Sequence, residues 1–231
     1  MLEFHPSFPA CLPSVTAVGA TELTAQRGGP PQELSGVSFS GGGFTPAKYF
    51  TRDNSSTWQI AAVERYLNSG VTLPPKIKWD RTGRAIPDIS AVGVNFQVVL
   101  ENRTSGVSGT SASTPLVAGL FSMINAQRAK MKKSSLGFLN PFLYKAADAD
   151  SCQGGRPCAF RDIVKGYNNG GGLDSLFAGF HAAPGWDPVT GIGTPNYEVR
   201  SNHPLERGMV LVLFRRGCSP LVLPALSCPR S

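Results

Sequence analysis

Residues 13–21 read Pro-Ser-Val-Thr-Ala-Val-Gly-Ala-Thr, an apolar, β-branched run broken by one glycine, and they predict a buried strand. The Gly28-Gly29-Pro30-Pro31 cluster predicts a loop. From Trp58 to Leu67 the apolar positions Ile60, Val63, Tyr66 and Leu67 fall at helical spacing. Residues 88–93 and 96–100 predict two further strands. From Leu116 to Ile124 the chain is apolar nearly all round, Ser122 excepted, which predicts a helix buried within the protein and running to about Lys130. Asn140-Pro141 reads as the cap and first turn of a short helix through Lys145. Strands interleaved with helices predict an α/β fold, with a largely parallel sheet flanked by helices. No internal repeat is visible.

A chain of 231 residues can bury one sizeable core in one or two domains. With 41% apolar and only 16% charged residues, and 26 Gly and 19 Pro, it has the profile of a loop-rich globular enzyme of the secreted type. The net charge of +7 is scattered, and its densest run, residues 128–133, suits the solvated end of a helix, where cations also suit the dipole. No nucleic-acid module accompanies it, so no nucleic-acid partner is expected. No apolar run approaches the ~20 residues of a membrane span. Residues 1–6 lack the basic and apolar regions of a signal peptide, so this stretch taken literally predicts a cytosolic chain. The sequons at Asn54 and Asn102 suit a secretory route instead. Five cysteines leave at least one unpaired within the chain; Cys152 and Cys158 are placed to close a small local disulfide, whereas Cys11, Cys218 and Cys228 have no obvious partner.

The chemistry concentrates in Ser108-Gly109-Thr110-Ser111-Ala112-Ser113-Thr114-Pro115. Gly109 suits a sharp turn, and Pro115 suits a first helical turn. A serine at that point has unpaired backbone N–H groups and the positive helix end beside it, and both favour a developing oxyanion. The competing reading is an ordinary N-cap. A serine nucleophile also needs a base. Of the three histidines, His5, His181 and His203, none stands in a recognisable triad motif. Glu64 falls on an amphipathic helix and is expected to be solvated; Asp88 is expected to support a turn or the core.

The octapeptide and its apolar continuation resemble the nucleophile motif of the subtilisin-like serine peptidases, and Ser-Ala-Ser-Thr-Pro resembles the sedolisin family (peptidase S53), its tripeptidyl-peptidase branch most closely. Residues 12–21, 38–44, 83–88, 136–141 and 184–195 continue the likeness in order, so it covers roughly residues 4–197. The resemblance implies a subtilisin-like α/β fold whose N-terminal part lies outside this chain, with residues 198–231 a divergent, poorly ordered tail. It implies Ser111 as the catalytic serine, with Ser108 and Ser113 as turn and cap residues. The Ser40-Gly41-Gly42-Gly43 tract is either near the substrate cleft or a structural turn. Sedolisins use a glutamate base supported by an aspartate, with a further aspartate at the oxyanion site; all three are expected upstream of the matched segment. A carboxylate base agrees with hydrolysis at acid pH. Peptide or protein substrates, a lysosomal or secreted location, and the missing N-terminal half as a partner follow from the same likeness. The alternatives are a catalytically inactive fragment or interaction protein, and a histidine-dependent subtilisin, against which the Ser-Ala-Ser-Thr-Pro wording speaks.

A second constellation joins Asp162-Ile163 to Gly185-Trp186-Asp187 across a glycine-rich connection containing Gly166 and residues 168–172. Calcium takes six to eight oxygens from carboxylates, carbonyls and water. By spacing alone these aspartates read as ordinary turn residues. The resemblance makes Asp162 and Asp187 side-chain ligands of one Ca2+ and Ile163 and Gly185 carbonyl donors, with Ala183 where a glycine usually supplies another carbonyl. No His/Cys cluster has zinc spacing.

Overall fold

A computed structural model describes residues 6–26, 29–149, 158–169 and 179–196. The predicted tail at 198–231, His5, His203, Cys152, Cys218 and Cys228 lie outside the described residues. Strand β1 (Val18–Gln26) forms a three-stranded sheet with β2 (Gly29–Gly36) on one side and β5 (Ile89–Val92) on the other. Strands β3 (Gly43–Phe44) and β4 (Ala85–Ile86) make a short antiparallel ladder, and β6 (Phe96–Leu100) and β7 (Arg103–Val107) make a hairpin. Strands β8 (Phe160–Arg161) and β9 (Thr194–Pro195) pair antiparallel. The helices are α1 (Arg52–Ser55), α2 (Ile60–Leu67), α3 (Thr110–Lys130) and α4 (Asn140–Ala149).

The architecture is α/β, and among the described residues its parallel part is the β1–β5 pair, Val18 opposite Ile89 through Thr21 opposite Val92. Strand β2 is an edge strand, antiparallel to β1 with register shifts. That position admits Pro30 and Pro31, because an edge residue can lack an N–H without breaking a central ladder. The expected loop at residues 28–31 is therefore largely strand. The strand predicted from residue 13 starts only at Val18. Before it, Val15 O accepts from Arg84 Nη2 at 3.0 Å and Asn140 Nδ2 at 3.1 Å, and Ala17 N donates to Asp88 Oδ2 at 2.8 Å. Side chains from distant segments thus take the backbone groups that a strand neighbour would use.

The core joins this sheet to α2, α3 and α4. Helix α2 buries Ala62, Val63, Tyr66 and Leu67 at the predicted spacing. An aromatic cluster fills the space beside it: Phe44 lies 4.7 Å from Trp79 and 5.4 Å from Phe180 between ring centroids, and Tyr66 meets Trp186 edge-on at 5.7 Å. Under the sheet, Arg84 and Asp88 form a fully buried ion pair at 2.7 Å. Asp88 also accepts from Tyr144 Oη and Asn140 Nδ2, while Gln59 grips both the N–H and the C=O of Ala85. Burial raises the Asp88 carboxyl above its ordinary range, against the opposing pull of Arg84 and the donors from Ala17 and Tyr144. Asn140 therefore does more than cap a helix: its side chain accepts from Thr16 Oγ1 at 2.7 Å and donates to residues 15 and 88.

Candidate active site and carboxylate loop

The serine of interest stands just past the β6–β7 hairpin, where α3 begins beside the end of β5. Gly109 N donates to Gly93 O at 2.7 Å, just past β5, which anchors the turn to the end of the parallel pair. Gly109 itself has φ 149° and ψ 159°, a region open essentially only to glycine. Ala112 N then closes the first turn on Gly109 O at 3.0 Å. Ser111 follows, in the first turn of a helix of 21 residues, and is exposed. No Asp, Glu or His hydrogen-bonds its Oγ among the described residues. Ser108 serves the turn, accepting from Asn95 N at 3.0 Å.

Three local expectations change here. Ser113 is no cap: it lies inside the helix, fully buried, with Oγ unpartnered. Pro115 sits in the helix interior rather than at its first position. Lacking an N–H, it cannot bond the carbonyl four residues back, which is that of Ser111, so the serine's own backbone oxygen is released from the helical ladder. Helix α3 is also buried on one side only. The helix packs against β1 and β5 and buries Ser113, Val117, Phe121 and Ile124, while Pro115, Ala118, Gly119 and Met123 are exposed among the described residues. An all-round apolar run does not say which face finds a partner.

The Ser40–Gly43 tract is a structural turn. Ser40 Oγ donates to Val189 O at 2.6 Å and accepts from Ala20 N at 3.0 Å, so the tract packs under the loop at residues 187–191. A Cβ on Gly42 would stand 1.7 Å from Pro188 O, so no side chain fits there. His181 is also remote in its bonding from Ser111: it pairs with Tyr167 across an isolated bridge, rings 5.9 Å apart, and its carbonyl accepts from Tyr66 Oη. Glu64 is half-exposed and accepts from Arg52 Nη2 at 3.0 Å.

That loop carries the second constellation. Asp187 is fully buried; its Oδ1 accepts from Val189 N and Thr190 N, both at 2.8 Å, and its Oδ2 from Ala183 N at 3.1 Å. Asp162 Oδ2 accepts from Gly185 N at 2.8 Å. Both carboxylates therefore reach the short stretch at residues 183–185, where Gly185 has φ +83°. Ile163 is buried, and its carbonyl lies 3.4 Å from Thr190 Oγ1. No cationic side chain pairs with Asp187 among the described residues. Desolvation accordingly pushes its carboxyl up to about 7, despite the N–H groups of Thr190, Val189 and Ala183. Burial also raises Asp162. Among the described residues no three His, Cys, Asp or Glu side chains gather around one point. A cation here would rest on two carboxylates and carbonyls. Cys158, four residues before Asp162, is disulfide-bonded, and Cys11 is free and half-buried.

Comparison with known proteins adds to this geometry. The profile of the subtilase family matches residues 5–155. Tripeptidyl-peptidase 1 of Bos taurus is 40% identical over 199 residues, a match covering 84% of this chain and 32% of that protein. Tripeptidyl-peptidase SED3 of Arthroderma otae is 41% identical over 203 residues, covering 85% of this chain and 31% of that protein. This chain thus spans about a third of the length of these relatives. Among solved structures, Pseudomonas sedolisin, a serine-carboxyl proteinase complexed with pseudo-iodotyrostatin, superposes with a TM-score of 0.56 at 25% identity, covering 83% of this chain and 48% of that one.

Proposed function

Because this chain belongs to the subtilase family, on its sedolisin and tripeptidyl-peptidase side, where members are serine hydrolases, we propose that it carries the nucleophile of an acid-acting serine peptidase. The observation that carries this reading is Ser111, exposed in the first turn of α3 behind a glycine turn. In the proposed reaction its Oγ attacks the scissile carbonyl while its proton passes to a glutamate lying upstream of this segment. First-turn N–H groups of α3 favour the oxyanion, the amine leaves, and water releases the acyl group from Ser111. Substrates are peptides, cleaved as tripeptides from free N-termini, in a lysosomal or secreted setting. The rest of the peptidase domain is the proposed partner of the open side of α3.

A second reading has its own observation. No base hydrogen-bonds Ser111 among the described residues, which favours a catalytically inactive fragment or interaction protein. A serine without its base retains little of the rate enhancement, since such groups act as a unit. One experiment separates the two readings: tripeptide release at acid pH by this chain alone, and by the chain joined to an upstream segment supplying the Glu and Asp. Activity in the joined form only is the expected result; inactivity of both, with folding intact, would leave the second reading standing.

One calcium ion is proposed at the carboxylate loop, on the Asp162 and Asp187 side chains and the Ile163 and Gly185 carbonyls. The donor set is all hard oxygen, and among the described residues no cationic side chain pairs with the buried Asp187 carboxylate, so the residues fit the ion. Calcium would supply the missing positive charge and tie residues 162–163 to 185–187. A ligand that binds only the folded chain at a hundred times its Kd adds about 2.7 kcal/mol, worth ~5–10 °C in a chain of this size. Chelation is expected to lower Tm by that amount in the wild-type chain and not in Asp162→Asn, followed by circular dichroism. The pH sense also follows. A carboxyl whose folded pKa stands above its unfolded 3.8 favours the fold when protonated, so the chelated chain loses stability as pH rises from about 4 to about 7. An unchanged Tm on chelation would remove the ion from this loop.

A further inference from the structure

We propose that the groove between residues 44–48 and 73–81 is a docking site for an acidic peptide segment bearing apolar side chains. It is an open concavity of about 720 Å³, within the size range of ligand sites, and it involves neither Ser111 nor the carboxylate loop. Its floor is aromatic: Phe44 is buried against Trp79, and Trp79 Nε1 donates to Pro74 O at 3.0 Å, fixing the indole. Pro46, Pro74 and Pro75 build the walls. Prolines have no N–H and a fixed φ, so these walls are stiff, apolar and unable to donate hydrogen bonds.

The rim is cationic. Among the described residues Lys48, Lys76, Lys78 and Arg81 line it with one carboxylate, Asp80, and the positive charge offered to a ligand is that of the exposed Lys48 and Lys76. That carboxylate is committed to the protein, accepting from Ala47 N at 3.0 Å, Thr82 N at 3.0 Å and Thr82 Oγ1 at 2.8 Å. Burial opposes ionisation of Asp80, but these donors outweigh it and hold its pKa below the usual range. Arg81 turns towards Asn68 and Glu64. Lys48 lies over the Tyr49 ring at 5.0 Å. Ile77 is 65% exposed and stands between two of the lysines. An apolar slot edged by excess positive charge complements a chain that alternates carboxylates with apolar groups. A free anion would use the rim and leave the slot empty, and a basic peptide would be repelled.

The test uses the full chain and a fluorescein-labelled peptide of alternating Glu and Leu, about a dozen residues long, read by fluorescence anisotropy. Binding is expected to weaken at least tenfold in Lys48→Glu/Lys76→Glu and also in Ile77→Asp, to fall with added salt, and to be absent for a Lys-Leu peptide. All three substitutions are at exposed positions, and circular dichroism checks that each variant is folded. Binding is expected to be the same in Ser111→Ala, which separates this groove from the peptidase reading. Equal affinity in the charge-reversed variant would overturn the proposal. So would full competition by inorganic phosphate, or capture by anionic phospholipid vesicles without binding of the peptide, either of which assigns the cations to another ligand.

Discussion

Ser111→Ala in the chain joined to an upstream segment supplying the proposed Glu and Asp is expected to lower kcat roughly a million-fold, the loss seen when the nucleophile of subtilisin is removed. The expectation rests on what the hydroxyl does and does not touch. Ser111 is exposed, and no hydrogen bond within the described residues depends on its Oγ. Its removal therefore costs the fold little, and Tm is expected to stay within measurement error. A nucleophile acts in the chemical step rather than in holding the substrate, so KM should change far less than kcat. That split distinguishes a nucleophile from an ordinary helix cap, whose loss costs about 1 kcal/mol of stability and leaves turnover intact. Initial rates of tripeptide release at acid pH check it; turnover surviving in this variant would end the assignment.

The second large effect is on stability. Asp88→Ala is expected to destabilise the chain by about 3–5 kcal/mol, because it strands the Arg84 guanidinium without a counter-charge at a fully buried position. It also frees Ala17 N, Tyr144 Oη and Asn140 Nδ2, the donors that tie residues 15–17 and α4 to the sheet. Total stabilities of about 5–15 kcal/mol make this a large fraction of what the domain has. Urea unfolding of the full chain measures it. Asp88→Leu combined with Arg84→Met, which removes both charges, should recover part of the loss. A cost under about 1 kcal/mol for Asp88→Ala would show that the pair does not hold the core.

Local patterns in the sequence carried some elements with little error. Helix α3 runs over Thr110–Lys130, as the glycine turn and the apolar run require, and α2 buries Val63, Tyr66 and Leu67. Strand β5 was legible from residues 88–93 because nearly every residue there is small or β-branched. Other features resisted. Asp88 supports the core as expected, but nothing in the local pattern marked Arg84, four residues before it, as its buried partner. The groove at residues 73–81 gave no signal, since its aromatic floor comes from Phe44, a distant part of the chain. The carboxylate loop was legible only through resemblance, because Asp162 and Asp187 by themselves are common turn residues.

Neighbours along the chain suffice for a serine placed just past a glycine turn, the helix that follows it, and the helical face of α2. Tertiary structure decided what depends on partners far away. It ended the first predicted strand early, because Arg84, Asp88 and Asn140 take the backbone groups of residues 15–17. It turned Pro30 and Pro31 into edge-strand residues, and it left one side of α3 open among the described residues. The physical reason is the same in each case. Helical periodicity is satisfied within a few residues, whereas a hydrogen bond such as Thr16 to Asn140, 124 positions apart, exists only once the chain has folded.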